Sequence, residues 1–219
     1  VGRYTGSLLE AFGDVTNDGT YLYVVSNDYG YNVTDGSGGG IRKIAMSDFS
    51  QQGFISFTTL GCSRILARLF YGFSSLFYAC DSSYTAYIKK INPSNMTVTG
   101  TFSASSTGTT DDVSGMASDG AYLYVGWAQP LGISNVYKID PSGMTEVGNW
   151  SVSGYIFRDY NSITATGGFV YPSIRKSGGG SDRIYKIDTS NMTGSTYYAA
   201  SQVMFGVDND LTYVYLDKG

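Results

Sequence analysis

A chain of 219 residues, 42% of them hydrophobic and 15% aromatic, is long enough to bury the core of one all-β domain. Its 14 basic and 18 acidic residues give a net charge of −4, and no stretch concentrates basic residues, which argues against nucleic-acid binding. No apolar run approaches the roughly 20 residues that span a bilayer, so we expect no membrane span.

The first repeated element is a tight turn followed by a strand. Turn signals stand at Asn17-Asp18-Gly19, Ser118-Asp119-Gly120 and Thr166-Gly167-Gly168. Aromatic and β-branched residues follow, and we align five such segments as equivalent second strands: Tyr21–Val24, Leu76–Ala79, Tyr122–Val125, Phe169–Pro172 and Tyr213–Leu216.

The second repeated element is a Lys-Ile pair followed by another turn. Lys43, Lys90, Lys138 and Lys186 recur at intervals of 47, 48 and 48 residues, each followed by Ile. Five residues beyond each Ile comes an apolar residue, respectively Phe49, Met96, Met144 and Met192. In the intervening turns, Pro at the second position and Asn or Gly near the end are expected to supply the fixed and positive φ values.

The fold class predicted from this period is all-β, a β-propeller of four-stranded antiparallel blades. Five blades are the simplest ring, with the closing blade shared by both termini, because Val1–Tyr4 aligns with Thr99–Phe102 and Val147–Trp150 as a fourth strand. The alternative is a fragment of a longer array. The predicted blades of this single domain are approximately 11–59, 60–106, 111–153 and 157–201, with the closing blade 202–219 plus 1–9.

The strand sequences resemble those of a known group of propellers. Tyr-Leu-Tyr-Val in strand two, followed by Ile-Lys-Lys-Ile or Val-Tyr-Lys-Ile-Asp in strand three, resembles blades of the YVTN and lactonase-like families. Val24–Asn27 is the nearest approach to the Tyr-Val-Thr-Asn tetrad. The resemblance implies the fold, and no active-site residue of those families can be placed on this chain.

Two sequence features concern the compartment. Cys62 and Cys80 precede the first strand and end the second strand of one repeat, so a disulfide or two buried thiols are the alternatives. The polar composition favours an extracellular, cell-surface or virion location. N-glycosylation sequons begin at Asn32, Asn95, Asn149 and Asn191, although turn geometry also explains Asn at positions 95 and 191.

Binding residues are expected where the variable loops gather. Those loops, 27–40, 80–86, 127–134 and 175–182, lie at one end of the predicted blades. Charged and aromatic residues near them are the candidate ligand-binding set, with inter-blade ion pairs as the alternative for the charged ones. The set is Arg64, Arg68, Asp111, Asp112, Trp127, Arg158, Asp159, Tyr160, Tyr29, Tyr31 and Tyr84.

Catalytic and metal motifs are scarce. The sequence contains no His, which removes His-based triads and His-ligated zinc. Asp112 and Asp159 are the candidates for a paired-carboxylate hydrolase, but we assign no catalytic residue. Calcium could bind at Asp14 with Asp18 or at Asp208 with Asp210, but neither pair has EF-hand spacing. Turn formation is the alternative role of these residues, and we expect no cofactor.

The favoured function is a non-enzymatic recognition or structural module that binds a glycan or a protein surface through one loop face. One alternative is a propeller hydrolase or lyase acting on a polysaccharide or lactone. Another is a filament or assembly subunit that is completed by strand exchange with a neighbour.

Overall fold

The computed structural model describes most of the chain. The described residues are 10–28, 39–62, 64–82, 85–104, 112–129, 132–157, 162–177, 182–200, 204–209 and 214–218. The chain divides into two compact units, Val1–Ala104 and Ser105–Gly219, and each is described by itself. Within these residues no helix is both long and apolar enough to cross a membrane.

The first unit contains two four-stranded antiparallel sheets. The first sheet has the order β1 (Glu10–Asn17), β2 (Tyr21–Asp28), β3 (Gly40–Ala45) and β4 (Gln51–Ser56). The second has the order β5 (Arg64–Gly72), β6 (Ser75–Ser82), β7 (Thr85–Asn92) and β8 (Thr97–Phe102). A four-residue helix, α1 (Phe57–Leu60), lies between them; Ser56 caps its start and Gly61, with φ of 69°, ends it.

The second unit contains two further antiparallel sheets and a strand pair. The third sheet is formed by β9 (Asp112–Ser118), β10 (Leu123–Gln129), β11 (Ile133–Asp140) and β12 (Thr145–Ser153). The fourth comprises β13 (Tyr155–Phe157), β14 (Ile163–Thr166), β15 (Phe169–Lys176), β16 (Asp182–Asp188) and β17 (Thr193–Ala200). The pair consists of β18 (Met204–Asn209) and β19 (Val214–Lys218).

The predicted four-stranded blades are confirmed. In all four sheets the recurring Lys lies on the third strand, and the register with the fourth strand shifts by one residue directly after it. The unpaired extra residues are Gln52, Thr99, Val147 and Ser195. A β-bulge at the same place in every blade shows that the four Lys residues occupy equivalent positions.

Each unit buries a core between its successive blades. In the first unit, Tyr23 and Val25 of one blade cluster with Leu76, Tyr78 and Ile91 of the next. In the second unit, side chains of β9, β10 and β11 cluster with those of β14, β15 and β16. Each sheet thus covers an apolar face with its neighbour, as stacked repeats require.

One predicted strand alignment is wrong by one residue. Tyr23 lies opposite Lys43, whereas Phe77, and not Tyr78, lies opposite Lys90. The error arises because the preceding turn at 73–74 contains no Gly, although both of its residues have positive φ. Without a turn signal, the aromatic residues alone determined the alignment.

The predicted source of positive φ in the second turn is also wrong. Positive φ occurs one residue later than Asn95, Gly143 or Asn191, at Phe49, Met96, Met144 and Met192, with values of 60°, 55°, 52° and 55°. Bulky residues rarely adopt this conformation. Here it directs an apolar side chain inward, because Met96, Met144 and Met192 are all buried.

The fourth blade begins differently from the others. Its inner edge consists of two short strands, because β13 and β14 both pair with β15. Residues 158–161 between them lie outside the described residues. The predicted start of this blade at residue 157 therefore falls at the last residue of β13.

Candidate functional site

Each blade has two chemically different ends. We call the end that carries the turns from strand one to strand two and from strand three to strand four the hairpin end. The end that carries the links from strand two to strand three and on to the next blade is the loop end. Candidate binding residues were expected at the loop end.

The same set of hydrogen bonds stabilises the first turn of the hairpin end in the first and third blades. Asp18 accepts hydrogen bonds from the backbone N–H groups of Thr20 and Tyr21, at 2.8 and 2.7 Å, and from the Tyr23 hydroxyl at 2.7 Å. Burial alone would raise the pKa of Asp18, but these hydrogen bonds outweigh it and the pKa is lowered. Burial and Asp18 together raise the pKa of Tyr23.

The third blade repeats this arrangement. Asp119 accepts hydrogen bonds from the backbone N–H groups of Ala121 and Tyr122, at 2.9 and 2.8 Å, and from the Tyr124 hydroxyl at 2.6 Å. Burial opposes ionisation here too, yet the hydrogen bonds lower the pKa of Asp119. Gly19 and Gly120, with φ of 86° and 88°, confirm the predicted glycine positions in these turns.

A clasp formed by Lys, Met and Gly joins the two blades of the first unit. Lys43 Nζ donates a hydrogen bond to the carbonyl oxygen of Pro93, in the hairpin turn of the second blade, at 2.9 Å. The same ammonium lies 3.9 Å from the centroid of the Tyr21 ring. From that turn, Met96 packs against Gly53, where an added Cβ would lie only 2.9 Å from Met96 Cγ.

An equivalent clasp joins the third and fourth blades. Lys138 Nζ donates to the carbonyl oxygen of Thr189 at 2.7 Å and lies 3.9 Å from the centroid of the Tyr122 ring. An added Cβ on Gly148 would lie 3.0 Å from Met192 Cγ. The Lys, Gly and Met residues of these two clasps therefore serve blade packing at the hairpin end.

The connections at the loop end differ in length from blade to blade, unlike the repeated turns of the hairpin end. The connection between strands two and three runs from 29 to 39 in the first blade but only from 83 to 84 in the second. In the third and fourth blades it covers 130–132 and 177–181. Four structurally equivalent blades therefore tolerate very different connections at this end, as expected of segments that blade packing does not constrain.

Two of the predicted ligand-binding residues have described side chains, and both are buried. Arg68 lies in β5, next to a bulge between Ile65 and Arg68, and is 6% exposed. Trp127 in β10 is completely buried, with its ring edge-to-face against Tyr137 at a centroid distance of 5.6 Å. In this arrangement the Trp127 ring belongs to the blade interior and offers no solvent-facing stacking surface.

The remaining predicted ligand-binding residues are not placed with their side chains. For Arg64 and Asp112 the structure describes only the backbone, at the first residues of β5 and β9. The others lie outside the described residues: Tyr29, Tyr31, Tyr84, Asp111, Arg158, Asp159 and Tyr160. The ligand-binding role of this set stays a prediction.

Sequence reasoning missed the position of Asp14 beside the inner strand of the second blade. Its carboxylate accepts hydrogen bonds from the backbone N–H groups of Val15 and Leu69, both at 2.8 Å. Leu69 directly follows the buried Arg68, so Asp14 binds the backbone of β5 just beyond its bulge. Burial, with a smaller contribution from the negative charge of Asp14, raises the pKa of the Tyr78 hydroxyl.

Of the two alternatives for the cysteines, the disulfide is confirmed. Cys62 and Cys80 are bonded, with their Cα atoms 5.6 Å apart, and both side chains are buried. The bond ties the segment after α1 to β6, close to the loop end. A disulfide indicates an environment outside the reducing cytosol.

The proposed calcium positions receive no support in the described part of the chain. No group of three or more His, Cys, Asp or Glu side chains that could hold a metal ion occurs among the described residues. Asp14 and Asp18 instead bind backbone N–H groups, as the alternative of turn formation predicted. The Asp208 side chain and all of Asp210 lie outside the description.

Comparison with known proteins shows the fold. No family model matches the chain, and no curated protein matches it. A chain of the mitotic checkpoint complex superposes with a TM-score of 0.66 at 13% identity, covering 99% of this chain and 62% of that one. The Neurospora crassa Pan2 WD40 domain gives 0.61 at 8% identity, covering 94% and 56%.

The likeness extends to proteins of unrelated roles. Hydrazine synthase of Kuenenia stuttgartiensis superposes with a TM-score of 0.63 at 14% identity, covering 99% of this chain and 58% of that one. This chain spans less than two thirds of the length of each of these structures. The chain has a β-propeller fold, and identities this low show the fold alone.

Proposed function

We propose that this propeller is a recognition module that acts outside the cytosol, in the extracellular space, on a cell surface or on a virus particle. Its loop end binds a glycan or a protein surface. The observation that carries the proposal is the contrast between a repeated hairpin end and a variable loop end on the same blades.

The contrast has a physical cause. Asp18 with Tyr23 and Asp119 with Tyr124 stabilise the same turn in two different blades. The two clasps then join each of these blades to the next one through equivalent contacts. The links between strands two and three range from two residues, 83–84, to eleven, 29–39, so blade packing does not fix their length. Sequence variation on a rigid scaffold is where binding specificity is usually built.

The disulfide supports the proposed compartment. Both sulfurs are buried between α1 and the second blade, so the bond is part of the core packing. Disulfides of this kind persist in oxidising environments. A polar surface poor in charge, with charged residues at 15% of the chain, is consistent with that location.

Tyr29, Tyr31 and Tyr84 are the residues to test first. They come from the longest and the shortest of the strand-two to strand-three connections, and tyrosine combines an apolar face with a polar tip. Aromatic residues commonly dominate the free energy of binding at recognition surfaces. A matched control is Tyr198 on β17, which is 51% exposed and lies on an outer strand.

The test uses an array of defined oligosaccharides and a panel of purified extracellular proteins. For a ligand found there, Tyr29→Ala with Tyr31→Ala is expected to weaken binding at least about tenfold, and Tyr198→Ala to leave it unchanged. Equal losses from both variants, or no binding to any member of either set, would refute the proposal. Release of a cleaved product in the assay is the other outcome. If Asp112→Asn and Asp159→Asn abolish that release, the recognition proposal is replaced by a hydrolase function.

A second candidate function, assembly, is favoured by the strand pair. Among the described residues, β18 and β19 form a two-stranded sheet, whereas the four complete blades contain at least four strands each. A strand donated by a neighbouring subunit would extend this sheet through main-chain hydrogen bonds. Light-scattering mass that rises with protein concentration supports assembly, and a constant monomer mass excludes it.

A further inference from the structure

We infer that Asn95 and Asn191 are N-glycosylation sites and that the sequon at Asn149 is not used. The inference depends on the same oxidising compartment as the proposed function but not on the recognition face. The sequons share one sequence motif, and the inference distinguishes them by the local structure around each Asn.

The two sites occupy equivalent exposed turns at the hairpin end. Asn95 and Thr97 are exposed, as are Asn191 and Thr193. The Asn95 side-chain oxygen accepts a hydrogen bond from the Thr97 hydroxyl at 2.7 Å, and that of Asn191 accepts one from the Thr193 hydroxyl at 2.6 Å. Within the described residues, neither side-chain amino group has a hydrogen-bond partner, so each Nδ2 faces solvent.

Backbone geometry does not require Asn at these positions. The positive φ of each turn belongs to the following Met96 or Met192. The equivalent position holds Asp48 in the first blade and Gly143 in the third, and Gly143 does not have positive φ. Since the turn accepts Asp and Gly at this position, its backbone conformation does not explain why Asn stands there in two blades.

The packing of the middle residue holds each acceptor outward. Met96 and Met192 are 6% and 8% exposed and pack into the cores between blades. With the middle side chain anchored inward, the flanking Asn and Thr remain at the surface. A glycan on Nδ2 therefore extends into solvent without displacing a core residue.

Asn149 and Ser151 are exposed as well, but the sequon lies in a strand and not in a turn. Asn149 lies within β12, opposite Tyr137, and its Nδ2 donates a hydrogen bond to Glu146 Oε1. The middle residue, Trp150, packs against Tyr185 with a centroid distance of 4.8 Å. The sequon is thus held in a paired strand, with its amide engaged. The fourth sequon, at Asn32, lies outside the described residues.

The reaction is a glycosyl transfer from a lipid-linked oligosaccharide diphosphate by a host transferase. Asn Nδ2 forms a bond to the anomeric carbon of the sugar and loses one proton. The bond between that carbon and the diphosphate oxygen breaks, and the lipid diphosphate leaves with the electron pair. The product is an N-linked glycan at the hairpin end, which leaves the loop end of the blades free.

The experiment is secretion of the full chain from a eukaryotic host, followed by amidase release, which converts each carrier Asn to Asp, and peptide mass spectrometry. Conversion is expected at positions 95 and 191 and not at 149. Thr97→Ala should abolish the signal at 95, while Thr97→Ser, which keeps the hydroxyl and the motif, should retain it. Unconverted Asn95 and Asn191, or conversion of Asn149 to the same extent, would overturn the inference. Neither result bears on ligand binding by the loop end.

Discussion

A single added methyl group at Gly53 tests whether the clasp holds the first two blades together. In Gly53→Ala the new Cβ would lie 2.9 Å from Met96 Cγ and 3.5 Å from Lys43 Cβ. Carbon atoms in contact prefer about 3.5–4.0 Å, so Met96 must move by at least about 0.5 Å. Met96 is buried and its backbone is held in the left-handed region, which restricts the room for that movement.

The expected loss of stability is modest but measurable. Overpacking a core typically costs about 1–3 kcal/mol, while replacing Gly by Ala in a strand returns about 0.5–1 kcal/mol. The free energy of unfolding should therefore fall by about 1 kcal/mol, and Tm by about 2–4 °C for a chain of this size. Thermal unfolding followed by circular dichroism measures the change.

A double-mutant cycle identifies the cause. Met96→Ala alone should lower the free energy of unfolding by about 2–5 kcal/mol, because it empties a buried site. In that background Gly53→Ala should be neutral or stabilising, since the atom it strikes is gone. Gly143→Ala is the control, because its nearest neighbour, Thr145 Oγ1, lies at an ordinary 3.5 Å. An equal penalty for Gly53→Ala with and without Met96 would refute the clasp as the reason for Gly.

Three further perturbations address the other stabilising contacts. Lys138→Met removes a charged hydrogen bond and a cation–π contact and should lower the free energy of unfolding by about 2–4 kcal/mol in urea titrations; no change would contradict the clasp. The lowered pKa of Asp119 means that its contribution is present above the unfolded-state pKa of about 4 and is lost as pH falls through the lower folded-state pKa. Asp119→Asn should therefore flatten the fall of Tm with acid, and an unchanged profile would exclude this carboxylate. Replacing both Cys62 and Cys80 by Ala opens a link across 18 residues and should cost about 3 kcal/mol, or about 6–12 °C in Tm; a smaller loss than in Gly53→Ala would show that the bond is not a main support.

Several features were predictable because their signals are local. The spacing of the Lys-Ile pairs correctly predicted four equivalent third strands, and Gly19 and Gly120 marked turns that need positive φ. The position of Cys80 at the end of a second strand and of Cys62 before a first strand made the disulfide a stated alternative. Each of these signals depends on residues a few positions apart or on the repeat itself.

Other features were set by contacts between distant residues. The positive φ at Met96 is stable because the side chain enters a core formed with the neighbouring blade, and no local rule favours Met there. Trp127 was expected near a recognition surface, yet it is buried against Tyr137. Asp14 drew attention only as a metal or turn residue, because its partner Leu69 is 55 residues away.

The sequence by itself determined the strands, the turns and their period, since alternating side chains, turn residues and repeat spacing act over short stretches of chain. Only the tertiary structure decided why Lys and Gly recur in the first and third blades. Lys43 and Lys138 meet a backbone carbonyl of the next blade about 50 residues away, and Gly53 and Gly148 leave room for its Met side chain. Short-range sterics shape a blade, whereas the packing of one blade against the next selects the residues that join them.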